Sequence, residues 1–339
     1  MEMNRIYRML VLATTCVAFV VVVGGAYVRL VDAGLGCPDW PGCYGAMSPA
    51  HAEQEIAKAV AAQGGEHGPV SLRKAWREMG HRYLAATLGL LILMIAILAW
   101  RARAASRALP LALVVLVGLQ AALGMWTVTL LLKPVIVTLH LIGGMATLSL
   151  LAWLSARELP LPPTVDRLRA RRLRPWAALA LAVIFVQIAL GGWVSSNYAA
   201  LACIDFPRCH GVWLPEMDFR HGFQLARELG LTAAGTQLAY EALTAIHWTH
   251  RMGALVTFIY VGVFALALVR TWGLARWGVT LAALLVIQIA LGVANILAGL
   301  PLPVAAAHNA VAALLLSAAV MINFALSPPR FLPRPQKSP

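Results

Sequence analysis

Four histidines stand in two pairs inside long apolar runs: His81 with His140, and His250 with His308. Ionisable side chains at membrane depth are costly and turn toward the interior of a helix bundle. One such imidazole is explained by an interhelical hydrogen bond. A pair on alternate helices, written twice in the same register, suits different chemistry. Two imidazoles facing across a four-helix bundle can ligate one haem iron axially. Zinc would need further Cys, His or carboxylate ligands, and neither pair has them inside its runs. Arg82 and Arg251 directly follow His81 and His250. A long cationic side chain at a span end snorkels to the interface, and a guanidinium placed there also fits a haem propionate. His51, His67, His210 and His221 lie in connecting segments and carry little signal individually.

The two halves differ at one informative position. Glu78 precedes His81 by three residues, which puts both on one helix face. The corresponding residue before His250 is His247. A carboxylate beside an apolar haem pocket can act as a base or stabilise developing positive charge. The same residue also suits a helix start, where the dipole favours an acid. If one half reacts and the other holds a fixed cofactor, the reacting half is the one with Glu78.

The elements that must carry these residues are membrane spans. Of the 339 residues, 60% are hydrophobic and only 12% charged, and the mean hydropathy is +0.76. That composition excludes an ordinary soluble enzyme, a disordered chain and a nucleic-acid-binding domain. Runs of ~20 apolar residues span the bilayer, and the sequence predicts eight: Met9–Val28, Met79–Trp100, Leu109–Leu130, Val135–Ala156, Pro175–Val194, Ala245–Val269, Ala275–Leu297 and Leu302–Leu326. Runs this long and continuously apolar are helices, since the backbone must satisfy itself in hydrocarbon. The first is too long for a signal-peptide core and is read as retained.

Charge sets the orientation. With both termini on one side, that side holds 16 Lys+Arg against 3 Asp+Glu, and the other side 11 against 11. The positive-inside rule makes the first side cytoplasmic. The net charge of +13 is thereby read as topology rather than as nucleic-acid binding. Two long segments, Leu30–Glu78 and Ser195–Thr244, then face outward as caps, and all four span histidines lie in the outer half of the bilayer. Each cap carries a Cys pair six residues apart, Cys37/Cys43 and Cys203/Cys209. An outer compartment is oxidising, so two intraloop disulfides are expected. Each is either a staple or, for Cys37/Cys43, an exchangeable bond near the pocket. Cys16 lies within the first span.

The chain reads as one unit written twice. Five features recur at offsets of 166–169: the C-x-D-aromatic-P-x-C loop, His81-Arg82 with His250-Arg251, Gln120-Ala-Ala-Leu-Gly124 with Gln288-Ile-Ala-Leu-Gly292, His140 with His308, and Gly24-Gly25 with Gly191-Gly192. Four spans per unit is even, so both units insert the same way up. The expected fold is an all-α integral membrane protein with eight transmembrane helices in two tandem, pseudo-symmetric four-helix bundles, residues 1–160 and 161–339.

The run Arg29-Leu-Val-Asp-Ala-Gly-Leu-Gly-Cys37-Pro-Asp-Trp-Pro-Gly-Cys43-Tyr-Gly resembles the first outer loop of haem A synthases. Glu78-x-x-His81-Arg82, His140, His250-Arg251 and His308 also match that family's pattern, and the likeness covers nearly the whole chain. The resemblance implies an oxidoreductase that converts haem O to haem A, taking one ring methyl to a formyl group by successive hydroxylations for terminal oxidases. It implies His81 and His140 as ligands of the substrate haem in 1–160, and His250 and His308 as axial ligands of a haem b iron in 161–339. Glu78 would be the catalytic carboxylate. Cys37 and Cys43 match the family's first-loop pair; the Cys203/Cys209 pair belongs to only some members. The implied setting is the bacterial cytoplasmic (inner) membrane. The implied partners are haem O, an electron acceptor or donor, haem O synthase and a second copy of the chain.

Two other functions use the same histidines. A di-haem b electron carrier linked to quinone needs no Glu78 and makes no product. A transporter built on a parallel repeat uses the histidines as proton relays and binds no haem.

Overall fold

A computed structural model describes residues 2–101, 107–159 and 167–327. The 160/161 boundary, the C-terminal tail and parts of two basic loops lie outside these. Ten α-helices run in the order α1 (Glu2–Leu30), α2 (Glu53–Ala62), α3 (Leu72–Arg101), α4 (Ala108–Thr129), α5 (Pro134–Glu158), α6 (Arg167–Ser196), α7 (Phe219–Gly222), α8 (Tyr240–Val269), α9 (Ala275–Leu297) and α10 (Leu302–Ala325). Eight of them are long and apolar enough to cross a bilayer, and no strand forms among the described residues. The protein is an eight-span, multi-pass membrane protein.

Several helices begin earlier than their apolar runs. The α3 helix starts at Leu72, seven residues before Met79, and α8 starts at Tyr240, five before Ala245. Helix formation does not require apolarity, and the Arg, Lys and Glu residues of 72–78 are good helix formers. Ser71 caps the start, its hydroxyl accepting from the Lys74 N–H at 3.2 Å. His81 and His250 therefore lie two to three turns inside their helices, not at the ends that hydropathy alone predicts.

Helix α1 packs on α3 and α5, and α4 packs on α3 and α5, closing one ring. The second ring is α6 on α8 and α10, with α9 on α8 and α10. Among the described residues, three helix pairs make most of the contact between the rings: α5 with α6, its repeat equivalent α10 with α1, and α5 with α10. The last pair are each other's counterparts. The same holds in the caps, where Arg29 donates to the Ser195 carbonyl at 2.7 Å and the Tyr198 hydroxyl donates to Asp32 at 2.8 Å. Both pairs are 166 residues apart. Counterparts of a two-fold repeat meet only beside the axis, so a pseudo-two-fold runs along the bundle between α5 and α10.

Below the caps, the buried side chains of both rings, including Ile92, Leu113, Leu151, Ile184, Leu281 and Leu316, form one continuous core. Between helices in lipid the driving force is close packing rather than water exclusion. Gly278 shows it: a Cβ there would stand 2.6 Å from the Ala265 carbonyl oxygen. Cys16 is exposed on the outside of α1.

Candidate functional site

The caps are built alike. Cys37–Cys43 and Cys203–Cys209 are disulfides. Inside each ring a carboxylate ties the loop: Asp39 accepts the N–H groups of Tyr44 (2.6 Å) and Gly45 (2.8 Å), and Asp205 those of His210 and Gly211 (both 2.8 Å). A carboxylate that accepts from the backbone five and six residues on closes the loop, which explains the Asp of each motif. The next two residues take positive φ, +52° and +76° at Tyr44 and Gly45, +54° and +76° at His210 and Gly211. The Gly211 N–H, then that of His210, holds the Asp205 carboxyl below the usual carboxylate range.

An arginine from the helix beneath clamps each loop. Arg82 on α3 donates to the carbonyls of Asp39 (2.8 Å), Gly42 (2.5 Å) and Pro41 (3.3 Å). Arg251 on α8 donates to Cys203 (2.7 Å), Asp205 (2.9 Å) and Arg208 (2.9 Å). These guanidinium groups thus bind backbone oxygens of the caps at the level where snorkelling brings them.

Beneath each clamp lies the position that differs between halves. Glu78 is buried, 4% exposed. Its Oε2 accepts the Cys37 N–H at 2.9 Å and its Oε1 pairs with Arg82 at 2.5 Å. This is no solvated helix-start residue: a carboxylate held by a backbone N–H and a guanidinium is fixed beneath the loop. His247, equally buried, meets the same two donors, Cys203 N–H at Nδ1 (3.2 Å) and Arg251 Nε at Nε2 (3.2 Å). A neutral imidazole accepts on one nitrogen only, so this receptor is shaped for an anion in both halves and filled by one only in the first.

His81 and His250 sit one turn beyond Glu78 and His247, and each of the four imidazoles lies against a glycine of a neighbouring helix. A Cβ on Gly25 of α1 would stand 2.9 Å from His81 Cε1, and one on Gly124 of α4 would stand 3.3 Å from His140 Cε1. In the second ring the values are 3.1 Å for Gly191 of α6 against His250 and 3.2 Å for Gly292 of α9 against His308. The equivalent pair on α1 and α6 is therefore Gly25 and Gly191, offset 166 like the Cys loops, not the 167 that aligns the two Gly-Gly dipeptides. These glycines accommodate rings rather than helix backbones. Gly143, similarly, faces the Gln120 amide, and Gly192 faces Leu141 and Thr138 of α5.

Nδ1 of His81, His140 and His308 is buried with no hydrogen-bond partner, as are Gln120 Nε2 and Gln288 Oε1. Buried polar atoms are normally satisfied. Four buried imidazoles seated in pairs in glycine notches fit a group held by imidazole nitrogen, and haem takes two per iron. Among the described residues no three His, Cys, Asp or Glu side chains are grouped so as to hold a bare metal ion.

Residues 8–320 match the family described as cytochrome oxidase assembly protein (COX15-CtaA). The chain belongs to this family. Within it, the chain is 41% identical over 313 residues to the Heme A synthase of Shewanella oneidensis, covering 92% of this chain and 94% of that one. It is 31% identical over 350 residues to the Heme A synthase of Rhizorhabdus wittichii (96% and 95% covered) and 30% over 340 residues to that of Bradyrhizobium diazoefficiens (92% and 89%). Sequence reasoning had singled out the histidines, Glu78, the arginines and the cysteines described above. It missed the loop-tying role of Asp39 and Asp205 and the amide of Gln187, for which a lone polar residue in the apolar run of α6 was the available signal.

Proposed function

We infer that this chain makes haem A from haem O, acting as an oxidoreductase on a ring methyl that is carried to the formyl level by successive hydroxylations. The observation that carries the reading is the buried Glu78, held by Cys37 N–H and Arg82 three residues from a glycine-seated His81. The names of the relatives point the same way. In this reading residues 1–160 receive haem O between His81 and His140, and residues 161–339 hold haem b between His250 and His308. Haem iron, when bound, supplies the redox chemistry. The chain supplies position and charge. The imidazole pairs would hold each haem, and the glycine notches seat the imidazoles. The disulfide loops cover the carboxylate and keep it from bulk water. Glu78, oriented by its two donors, faces developing positive charge or takes a proton at Oε1 or Oε2. His247 cannot do the same, so the second haem is left to electron transfer. Arg82 and Arg251, already clamping the caps, are the cations placed for haem propionates. In this reading the protein lies in the bacterial inner membrane with its termini cytoplasmic and both sites near the outer face, an orientation that its basic loops support.

The test is extraction of the pigment from protein purified after co-expression with haem O synthase. Haem A is expected. Haem b alone would mean a di-haem electron carrier, and colourless protein would mean neither pair binds haem.

A further inference from the structure

Gln187 lies on α6, one turn before the glycine that seats His250. Its Nε2 is 3.0 Å from His250 Nδ1 and donates to the His250 carbonyl at 3.0 Å, while its Oε1 is buried with no partner. Room for this amide is made by Gly253, where a Cβ would collide with Oε1 of Gln187. In the first ring the repeat places Val21 where Gln187 stands, at the offset of 166 set by Gly25 and Gly191, and Leu84 where Gly253 stands. His81 Nδ1 correspondingly meets no partner. The polar amide and its notch occur together in one half and are replaced together by apolar residues in the other.

We propose that Gln187 is a positioning residue that holds the His250 imidazole through Nδ1, making the C-terminal haem the retained one and leaving the N-terminal haem exchangeable. This rests on the haem reading above. An imidazole that gives Nε2 to iron carries its proton on Nδ1. The acceptor for that N–H is Gln187 Oε1, which a half-turn of the amide brings round in exchange for the bond to the His250 carbonyl. A partner on the outer nitrogen of a ligating histidine fixes ring orientation and raises ligand basicity. A stronger donor favours ferric iron, so the held haem has the lower potential. A substrate site must let its product go, and a ring held only by packing does so more readily.

The experiment uses the full chain loaded with haem b in a His81→Ala background, which leaves only the C-terminal pair intact. Haem release to apomyoglobin and the midpoint potential by optical redox titration are both read. Gln187→Val is expected to release haem about tenfold faster and to shift the potential upward. Gln187→Glu, whose carboxyl oxygen accepts the same N–H, is expected to restore slow release and a potential at or below the wild-type value. Wild-type rate and potential in Gln187→Val would overturn the proposal, and so would equal loss in Gln187→Val and Gln187→Glu, which marks a packing role. A His81→Ala protein that takes up no haem at all overturns the haem reading itself and is seen before any Gln187 variant is compared.

Discussion

Adding a single methyl at Gly25 separates a haem-binding imidazole from a merely packed one. In Gly25→Ala the new carbon would stand 2.9 Å from His81 Cε1 and 3.2 Å from Nε2. Ordinary carbon contacts are ~3.5–4.0 Å, so the ring must retreat by roughly 0.6–1 Å. Overpacking of this kind costs about 1–3 kcal/mol. Because the ring is displaced along the edge that carries Nε2, the cost falls on ligation; at ~1.4 kcal/mol per decade it weakens haem binding in the first ring roughly five- to hundredfold. The assay is titration of apo-protein with haem, followed by difference absorbance. Gly118→Ala, on α4 with nothing within 4 Å of its Cβ position, is the control and should bind as the wild type does. The wider gaps at Gly191, Gly292 and Gly124 (3.1, 3.2 and 3.3 Å) predict progressively milder losses. Equal haem affinity in Gly25→Ala and Gly118→Ala would refute the assignment of these glycines as imidazole seats.

Glu78→Gln keeps an oxygen for the Cys37 N–H and removes the charge; it should retain both haems yet stall before the formyl product, and normal haem A output by pigment analysis would remove Glu78 from the chemistry. Arg82→Ala leaves Glu78 buried without its cation and frees three loop carbonyls, which should cost about 3–5 kcal/mol and lower the unfolding midpoint well below that of Lys58→Ala, whose pair with Glu55 is exposed. Replacing both Cys37 and Cys43 with Ser should lower haem A yield by loosening the loop whose N–H holds Glu78; unchanged turnover would make the disulfide a dispensable staple.

The bundle was legible because nothing else explains eight uninterrupted apolar runs, and because Cys37, His81, Gln120 and His140 each have a counterpart near one offset. The starts of α3 and α8 were not legible from hydropathy, since the polar turns Leu72–Glu78 and Tyr240–Thr244 are helical for local reasons that apolarity does not register. The doubled Gly-Gly dipeptide misled by one residue: identity aligned Gly24 with Gly191, while the imidazoles select Gly25. Arg82 read as a cation for water or propionate, and three carbonyls of a loop some forty residues away in sequence also converge on it, a closure that no local pattern encodes. Gln187 was visible as a letter and silent as a contact, because its meaning depends on the notch that Gly253 opens on another helix.

The pseudo-two-fold between α5 and α10 has a consequence for energy coupling. In the haem reading proposed above, rotation about the membrane normal would put both imidazole pairs at one depth, and an electron hopping from one iron to the other would travel sideways. Such a hop crosses none of the voltage drop and does no work against it. Turnover in energised vesicles should accordingly be indifferent to the transmembrane potential at that step.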